Sequence, residues 1–336
     1  MNIAIVGAGI TGITLANLLH NKHEVHLMEQ SNHIGGACYD EYNEYGVLVQ
    51  KYGIHIFHTN NKTVWDYLGQ FTEWREYIHR VASYVDCQTY VGVPFRARGN
   101  DWTKKEYMKY VVEPFNEKRW CCKWDDLPGY VKSRLSFEDN KDFDNYGYFT
   151  DKYQGVPIGG YTQMFNRMLD GIEVTLNRKF SANDIKNYDK VIYTGCVDYL
   201  LNEITGDVAP LTYIGLDFKY KTVRLESNDD FAQPYPAINY PRMYDYIRVH
   251  ETKHLTGQKL PYSSLIYEST KLVKDYIKDT SYLCYPYFGM DERAGKYRHD
   301  LKTVAPNVIP AGRMGTYHYI DSDDAVEEAI KLAEAF

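Results

Sequence analysis

A glycine-rich turn near the amino terminus has the residue types and the spacing needed to hold a dinucleotide. Gly7, Gly9 and Gly12 form a GxGxxG pattern that includes Thr11, and Glu29 follows 22 positions after Gly7. Glycines allow the backbone to approach a pyrophosphate, whose charge is met by N–H groups at the start of the following helix. A carboxylate about 20 residues further on is suited to ribose hydroxyls. The spacing therefore predicts a nucleotide-binding unit.

A second glycine pair narrows the choice of nucleotide. Gly35 and Gly36 follow soon after Glu29 and Gln30. We interpret a glycine pair at this distance from the acidic residue as typical of FAD-binding rather than NAD-binding fingerprints. An ordinary turn would explain the two glycines taken alone. The prediction of FAD therefore depends on the whole segment from Gly7 onwards.

The elements that must position these residues follow from the pattern of apolar residues. Asn2–Val6 and Glu24–Met28 predict strands, and the segment after the glycine-rich turn predicts the helix between them. A helical pattern at 161–169 precedes two strand-like runs, 173–176 and Lys190–Tyr193, which are expected to rejoin the same sheet. The nucleotide-binding domain is therefore predicted to be discontinuous in sequence.

We expect an α/β fold made of three units. Repeated short β-prone runs between 211 and 287 predict an antiparallel sheet, and Pro114 marks a boundary inside a charged, aromatic and partly helical stretch. Ser322 or Asp323 is expected to cap the last helix. The predicted boundaries are 1–78, 161–205 and 290–336 for a Rossmann-like FAD-binding domain, 102–138 for a small helical domain, and 79–101, 139–160 and 206–289 for the antiparallel sheet domain.

Length and charge exclude two classes of protein. A chain of 336 residues favours about two or three units and can bury a large core, which argues against intrinsic disorder. Its 38 basic and 45 acidic side chains give a net charge of −7 without a basic block. Nucleic acid is therefore not expected as a partner.

Cysteine usage and apolar runs indicate the compartment. The six cysteines are scattered without a CxxC pair or histidines at metal-ligand spacing, so free thiols and no metal site are expected. No apolar run reaches the length of a membrane span, and no basic region precedes the first apolar run. These features predict a cytoplasmic protein without a membrane partner.

Further blocks of sequence carry a resemblance to a known family. They are KYGIHIFHTN at 51–60, EKRW at 117–120, YQGVPIGGYT at 153–162, YIRVHETK at 246–253 and GRMGTYHYID at 312–321. Together with GAGITG and HIGG near the amino terminus, these blocks resemble the UDP-galactopyranose mutase family in the same order. The resemblance extends over nearly the whole chain.

The resemblance implies an isomerase that interconverts UDP-galactopyranose and UDP-galactofuranose. In that chemistry, reduced FAD attacks the anomeric carbon through N5, expels UDP and carries the sugar covalently while the ring opens and recloses. No net redox change occurs, although an external reductant such as NADPH or NADH must first reduce the flavin. A cofactor that carries the hard step also explains why the sequence has no GxSxG elbow, zinc signature or P-loop lysine.

The resemblance also implies the residues around the cofactor. His58 would lie against the isoalloxazine ring and influence N5, with His55 nearby, whereas a histidine beside apolar neighbours would otherwise be interpreted as a core residue. Arg313 belongs to the block at the flavin, and Asp321 would support the pyrophosphate environment. The implied cofactor-binding set is Gly7, Gly9, Thr11, Gly12, Glu29, Gln30, Gly35, Gly36, His55, His58, Gly312, Arg313, Tyr319 and Asp321.

Arg248 is the main residue implied for the substrate. It matches the arginine that meets the UDP diphosphate, because a planar guanidinium can pair with two phosphate oxygens. The alternative is a surface ion pair with Glu251 or Asp245. Phe115 stands where the family has a tyrosine, so it can stack on uracil but cannot donate a hydrogen bond.

Tyrosines complete the implied site, because a phenol can donate to phosphate without adding a buried charge. The implied substrate-binding set is Phe115, Trp120, Arg134, Lys141, Tyr161, Arg248, Tyr285 and Tyr317. The implied catalytic set is His58, Arg248, Tyr285, Arg313, Tyr317 and Tyr319.

Two departures from the family leave points open. The family carries a second diphosphate arginine on a mobile lid, and here Arg134 or Lys141 could replace it, with Lys152 a weaker candidate. The helical insertion is shorter than in bacterial members, where helices in this region build the dimer. A homodimer is therefore left open by the sequence.

Other functions explain less of the sequence. Another UDP-sugar, such as UDP-arabinopyranose, is the close alternative to UDP-galactopyranose. A flavin amine oxidase or desaturase would explain the first 36 residues but not the later blocks. A nucleotide-binding protein related to prenyl-GTPase escort proteins would need no flavin.

Overall fold

The computed structural model describes residues 1–85, 89–93, 103–132, 147–276 and 283–336. Its strands are β1 Asn2–Val6, β2 Glu24–Met28, β3 Asp40–Tyr42, β4 Leu48–Gln50, β5 Phe57–Thr59, β6 Trp74–Glu76, β7 Val81–Val85, β8 Thr89–Val93, β9 Tyr153–Pro157, β10 Glu173–Thr175, β11 Lys190–Tyr193, β12 Tyr213–Arg224, β13 Ala237–Asn239, β14 Arg248–Glu251, β15 Tyr262–Val273, β16 Leu283–Pro286 and β17 Val308–Pro310. Its α-helices are α1 Ile10–Leu19, α2 Lys62–Gly69, α3 Lys104–Tyr107, α4 Glu113–Trp120, α5 Gly129–Lys132, α6 Tyr161–Met168, α7 Val197–Thr205, α8 Lys253–Thr256, α9 Asp291–Val304, α10 Gly312–Thr316 and α11 Ser322–Ala333.

A parallel sheet forms the amino-terminal unit, in the order β10-β2-β1-β11-β17. Its strands are rich in Ile, Val and Leu because helices cover both faces. Apolar side chains of α1, α6 and α11 pack on one face, and those of α7 and α9 pack on the other. β1 lies between β2 and β11, so the carboxyl end of β1 opens into the crevice where such sheets bind ligands.

A seven-stranded sheet forms the second unit, in the order β16-β12-β15-β14-β13-β7-β8. All of its strand pairs are antiparallel except β13 with β7, which is parallel. The register aligns Ser83, Asn239, Arg248 and Glu268 across four neighbouring strands. Residues paired in this way share one face of a sheet, so these four polar side chains form a row.

A short helical segment covers part of this sheet. Thr103 caps α3 in a reciprocal capping box with Glu106. The helix then passes through a π-helical turn, Met108–Val112, before α4 begins at Glu113. Val111 and Val112 pack against the apolar side chains of β7 and β8, while α4 contacts β15. The π turn is therefore the point where the helix changes the strand on which it packs.

The observed fold agrees with the predicted class. It is a mixed α/β structure with a Rossmann-like parallel sheet and a largely antiparallel second sheet. The predicted N-cap of the last helix, Ser322 or Asp323, is wrong by one or two residues, because Asp321 is the N-cap of α11. The boundaries of the three predicted units stay a prediction. Within the described residues, no helix is both long and apolar enough to cross a membrane.

Candidate active site

The glycine-rich turn joins β1 to α1, and neighbouring atoms leave no space for a side chain at Gly7 or Gly12. Gly7 has a φ of +99°, which L side chains rarely adopt. A Cβ on Gly12 would lie 2.0 Å from the carbonyl oxygen of Gly7, so α1 can pack this close to the turn only with glycine there. Gly9 is the N-cap of α1, and nothing lies within 4 Å of a Cβ placed on it. The first turn of α1 is therefore open to a phosphate group.

Glu29 and the second glycine pair close the turn on the other side. Glu29 Oε2 accepts a hydrogen bond from the Ala8 N–H at 2.7 Å, and Oε1 accepts from the Ser31 N–H at 2.8 Å. The Gly35 N–H donates to the Ala8 carbonyl at 2.7 Å. Ala8 thus connects the carboxylate to the second glycine segment, and this fixes Glu29 at the edge of the cavity that the turn opens into.

This cavity has a volume of about 400 Å³. Eleven residues of the implied cofactor set line it: Gly7, Gly9, Thr11, Glu29, Gln30, Gly35, Gly36, His55, Gly312, Arg313 and Asp321. Gly12, His58 and Tyr319 are not among the lining residues. Gly12 acts through the packing of α1, whereas the other two lie elsewhere, as described below.

The part of the cavity lining that follows β11 or comes from β16 was not predicted from the sequence. Thr194 and Cys196 follow β11, and Cys284 comes from β16 of the second sheet. Both sheets therefore contribute to one cavity. The only signal in the sequence was the β11 run itself, since the carboxyl ends of neighbouring parallel strands meet at one edge.

The two histidines of the HIFHT block occupy different surroundings. His55 lines the cavity, and its Nδ1 donates to the Gly53 carbonyl at 3.0 Å. Burial lowers the pKa of His55 to about 4, against this hydrogen bond and with smaller contributions from the charges of Arg313 and His250. The ring is therefore neutral near pH 7, and because a carbonyl only accepts, Nε2 is the unprotonated nitrogen.

His58 instead contacts the carboxylate of Asp151, which lies two residues before strand β9. Its Nδ1 lies 3.0 Å from Asp151 Oδ2, and its ring stacks on Phe149 at a centroid distance of 3.7 Å. Asn60 donates to the other oxygen of Asp151 at 2.7 Å. The role implied for His58 at the flavin stays a prediction, because these contacts place its ring away from the cavity lining.

Arg248 lies in the polar row of the seven-stranded sheet. Its Nε donates to Asn239 Oδ1 at 2.6 Å, and its Nη1 is 4.0 Å from Glu268 Oε2. Glu268 Oε2 also accepts from His250 Nε2 at 2.7 Å. The alternative ion pair with Glu251 is not formed, since the Glu251 carboxylate is buried and accepts backbone and Ser263 hydrogen bonds.

The carboxylate of Glu268 is charged in this setting. Burial alone would raise its pKa, but the hydrogen bond from His250 and the charges of Arg248, His250 and Arg119 lower the pKa of Glu268 to about 2. Burial also lowers the pKa of His250. The guanidinium of Arg248 is therefore held between a fixed carboxylate and a fixed amide, with 22% of its side chain exposed.

Helix α4 brings Phe115 to this row and places Arg119 and Trp120 beside Tyr285 and Tyr319. The Arg248 guanidinium lies 5.3 Å from the centroid of the Phe115 ring. Trp120 meets Tyr285 edge to face at 5.6 Å and Tyr319 at 6.4 Å. Arg119 Nη2 donates to the Tyr319 hydroxyl at 2.9 Å. We call Arg119, Asn239, Arg248 and Glu268 the sheet cluster.

Tyr319 connects the sheet cluster to the cavity. Arg313, which lines the cavity, places its guanidinium 5.0 Å from the centroid of the Tyr319 ring. Arg313 is held there because its Nε and Nη2 donate to the Ile320 carbonyl at 3.1 and 2.5 Å. The block at 312–321 therefore joins the two places where an anionic ligand could bind.

Two of the implied substrate residues are core residues in the structure. Tyr317 is 1% exposed, packs on Tyr213, and its hydroxyl bonds to the backbone carbonyls of Thr212 and Tyr287. Tyr161 is also 1% exposed, and its hydroxyl donates to the His55 carbonyl at 3.3 Å. Their contact with substrate stays a prediction, and Tyr161 has an observed role in positioning His55.

The remaining implied residues are Tyr285, Arg134 and Lys141. Tyr285 lies beside Trp120, and its hydroxyl donates to the Arg119 carbonyl at 3.2 Å. Arg134 and Lys141 lie outside the described residues. Sequence reasoning missed Asn239 and Glu268, because only the strand register shows that they face Arg248. It also missed Arg119, whose contact with Tyr319 joins segments 200 residues apart.

Comparison with known sequences identifies the family to which this chain is similar. A family model described as UDP-galactopyranose mutase matches residues 110–319, and one for an NAD(P)-binding Rossmann-like domain matches residues 5–71. The chain is 30% identical to a probable UDP-galactopyranose mutase of Klebsiella pneumoniae, over 100% of this chain and 94% of that protein. It is 29% identical to a dTDP-fucopyranose mutase of Escherichia coli, over 99% and 98% of the two chains.

Solved structures share the fold at lower identity. A crystal structure of a reduced UDP-galactopyranose mutase matches with a TM-score of 0.74 and 16% identity, over 99% of this chain and 94% of that one. A putative protoporphyrinogen oxidase from Exiguobacterium matches with a TM-score of 0.63 and 12% identity, over 99% and 98%. These two structures therefore share the overall fold of this chain.

Proposed function

The chain belongs to the UDP-galactopyranose mutase family, and from this we propose that it interconverts UDP-galactopyranose and UDP-galactofuranose without net redox change. The position of Tyr319 carries the proposal. Its ring lies against Arg313 of the cavity, and its hydroxyl accepts from Arg119 of the sheet cluster. A dinucleotide in the cavity and an anionic sugar nucleotide at the cluster would therefore be neighbours.

The residues of the cavity fit FAD as the dinucleotide. The open first turn of α1 would hold the pyrophosphate, Glu29 would hold the ribose, and Arg313 with His55 would lie near the flavin. When bound and reduced, FAD supplies an electron-rich ring nitrogen as the nucleophile toward the anomeric carbon. The neutral His55 ring can accept a hydrogen bond at Nε2 without adding a charge to the cavity.

The sheet cluster acts on the diphosphate of the substrate. The guanidinium of Arg248 is held by Asn239 and lies near Glu268, so it would stabilise the negative charge that grows on the diphosphate as UDP leaves. Trp120 and Tyr285 form an apolar wall that limits access of water to the reacting carbon. These groups bind and orient the sugar nucleotide, and the cofactor carries out the covalent chemistry.

The test is turnover by flavin-loaded protein with and without reduction. Dithionite-reduced protein should convert UDP-galactopyranose and UDP-galactofuranose to one equilibrium mixture from either side, as followed by chromatography. The matched control is the same preparation kept oxidised under strict anaerobiosis without reductant, which should be inactive. Equal rates from the oxidised preparation would contradict the proposed mechanism.

The same assay decides the preferred substrate. UDP-arabinopyranose and dTDP-fucopyranose belong in the panel, the second because a relative of nearly the same identity is a dTDP-fucopyranose mutase. A higher kcat/KM on either would replace UDP-galactopyranose while keeping the chemistry. Flavin reduction by an amine, without any isomerisation, would instead favour an oxidase. A colourless protein that binds no flavin would contradict both.

A further inference from the structure

Arg119 is a charged group at the substrate end of the site that no role yet explains. It lies on the last turn of α4, where its neighbour Lys118 points the other way and donates to the carbonyls of Tyr240, Met243, Tyr244 and Tyr246. Lys118 thereby fixes the loop before β14. The Arg119 side chain instead donates to the Tyr319 hydroxyl at 2.9 Å.

The partners of the Arg119 guanidinium are neutral. It lies between the hydroxyls of Tyr319 and Tyr285, and it is 5.7 Å from the centroid of the Trp120 ring. Burial raises the pKa of Tyr285, so that phenol is uncharged near pH 7. Among the described residues, no carboxylate lies within 4.0 Å of Arg119. A guanidinium carries five N–H donors, and the phenols can satisfy only part of them.

The charges of the cluster do not balance. Glu268 is the one carboxylate of the sheet cluster. The positive charges of Arg119 and Arg248 lower the pKa of Glu268, which also accepts a hydrogen bond from His250. Two arginine charges therefore act on one carboxylate. A partly buried excess of positive charge is costly unless an anion completes it.

We propose that Arg119 binds the diphosphate of the sugar nucleotide together with Arg248, so that the substrate anion is held between two arginines fixed by the fold. This inference rests on the proposed function. Arg248 approaches from β14 and Arg119 from α4, where Phe115, one helical turn before Arg119, lies 5.3 Å from the Arg248 guanidinium. Tyr319 orients Arg119 through its hydroxyl, and this makes Tyr319 a positioning residue for the diphosphate as well as a neighbour of the cofactor cavity.

The experiment compares ligands that differ only in phosphate number. Flavin-loaded wild type, Arg119→Gln, Arg119→Lys and the control Arg224→Gln are titrated with UDP, UMP and uridine by flavin fluorescence. Arg224 is exposed at the end of β12, and its replacement by Gln removes one positive charge, as Arg119→Gln does. We expect Arg119→Gln to raise the Kd for UDP on the order of ten- to a hundredfold, the Kd for UMP less, and the Kd for uridine not at all. Arg119→Lys should recover part of the affinity, since it keeps the charge without the planar fork.

The outcomes separate this inference from the proposed function. Wild type that binds UDP, with Arg119→Gln binding it equally well, would overturn the role of Arg119 and leave the function intact. Equal losses for UDP, UMP and uridine would also overturn it, because they would indicate a reshaped site. Wild type that binds none of the three ligands would overturn both. If Arg119→Gln does not fold, Arg119→Lys is the deciding variant. If Arg119→Lys binds UDP with the affinity of wild type at both low and high salt, the proposed contact between the Arg119 guanidinium and the diphosphate is overturned.

Discussion

The cofactor cavity and the sheet cluster are built by different means. The cavity is formed mainly by backbone: the turns at 7–12 and 35–36 contact each other through N–H and carbonyl groups, and the glycines make room for a ligand. The sheet cluster is formed by charged side chains from α4, β14 and β15 and by the Asn239 amide from β13, which the chain brings together from distant segments. A site made of backbone should fail when atoms are added, whereas a site made of charges should fail when one charge is removed.

The largest effect is expected from adding a methyl group to the backbone-built region. Gly12→Ala places a Cβ 2.0 Å from the Gly7 carbonyl oxygen, and neither backbone can move without opening the turn. We expect FAD affinity to fall by at least about a hundredfold, or roughly 3 kcal/mol, as measured by flavin content after dialysis. Gly129→Ala is the matched control, because nothing lies within 4 Å of that added Cβ. Retention of normal flavin by Gly12→Ala would show that the turn is not what holds the cofactor.

Removing a charge from the sheet cluster should leave the cofactor in place. Arg248→Ala loses a charge-assisted contact with the diphosphate that is worth roughly 1.5–3 kcal/mol, so the Kd for UDP should rise about ten- to a hundredfold. Arg248→Lys should restore only part of this loss. The control is Arg242→Ala, an exposed arginine whose Nη2 donates to the Lys109 carbonyl. Unchanged UDP affinity in flavin-loaded Arg248→Ala would remove Arg248 from the site.

The carboxylate of the cluster should give a dependence of stability on pH. Its pKa of about 2 in the native state lies below the usual value for glutamate, about 4.3 in an unfolded chain. A depressed acid pKa stabilises the native state above the unfolded value, and this contribution is lost as pH falls from about 5 toward 2. We expect Glu268→Gln to lower the free energy of unfolding by about 1–2 kcal/mol at pH 7, since its amide oxygen can still accept a hydrogen bond.

Urea unfolding of wild type and Glu268→Gln at a series of pH values checks this. The difference in the free energy of unfolding should be constant between pH 6 and 8 and should shrink toward pH 3. Glu226→Gln, on an exposed loop, is the control for loss of a negative charge. A difference that grows as pH falls would contradict the assignment of a depressed pKa.

The same contrast explains how much the sequence could predict. The cavity comes mostly from contiguous motifs, so the turn, Glu29 and the glycine pair could be assigned from their spacing, as could the strands and helices around them. The sheet cluster depends on strand register, and nothing local in the sequence shows that Asn239 and Glu268 face Arg248. Tyrosines were the hardest to assign, because Tyr317 and Tyr319 lie two positions apart, yet one is in the core and the other is at the site.

The smallest effect is expected at His58, where the resemblance and the geometry lead to different outcomes. His58 Nδ1 donates to Asp151 and its ring stacks on Phe149, so His58→Gln should cost about 1 kcal/mol of stability and leave the flavin absorbance unchanged. His55→Gln should shift the flavin absorbance, because His55 lines the cavity. The two variants make the same substitution, a five-membered imidazole ring replaced by an amide, at positions three residues apart, so each is the control for the other. A shifted flavin spectrum in His58→Gln at normal flavin content would place His58 at the flavin, as the family resemblance implies, and would mean that the strand from Phe57 to Thr59 moves when the cofactor binds.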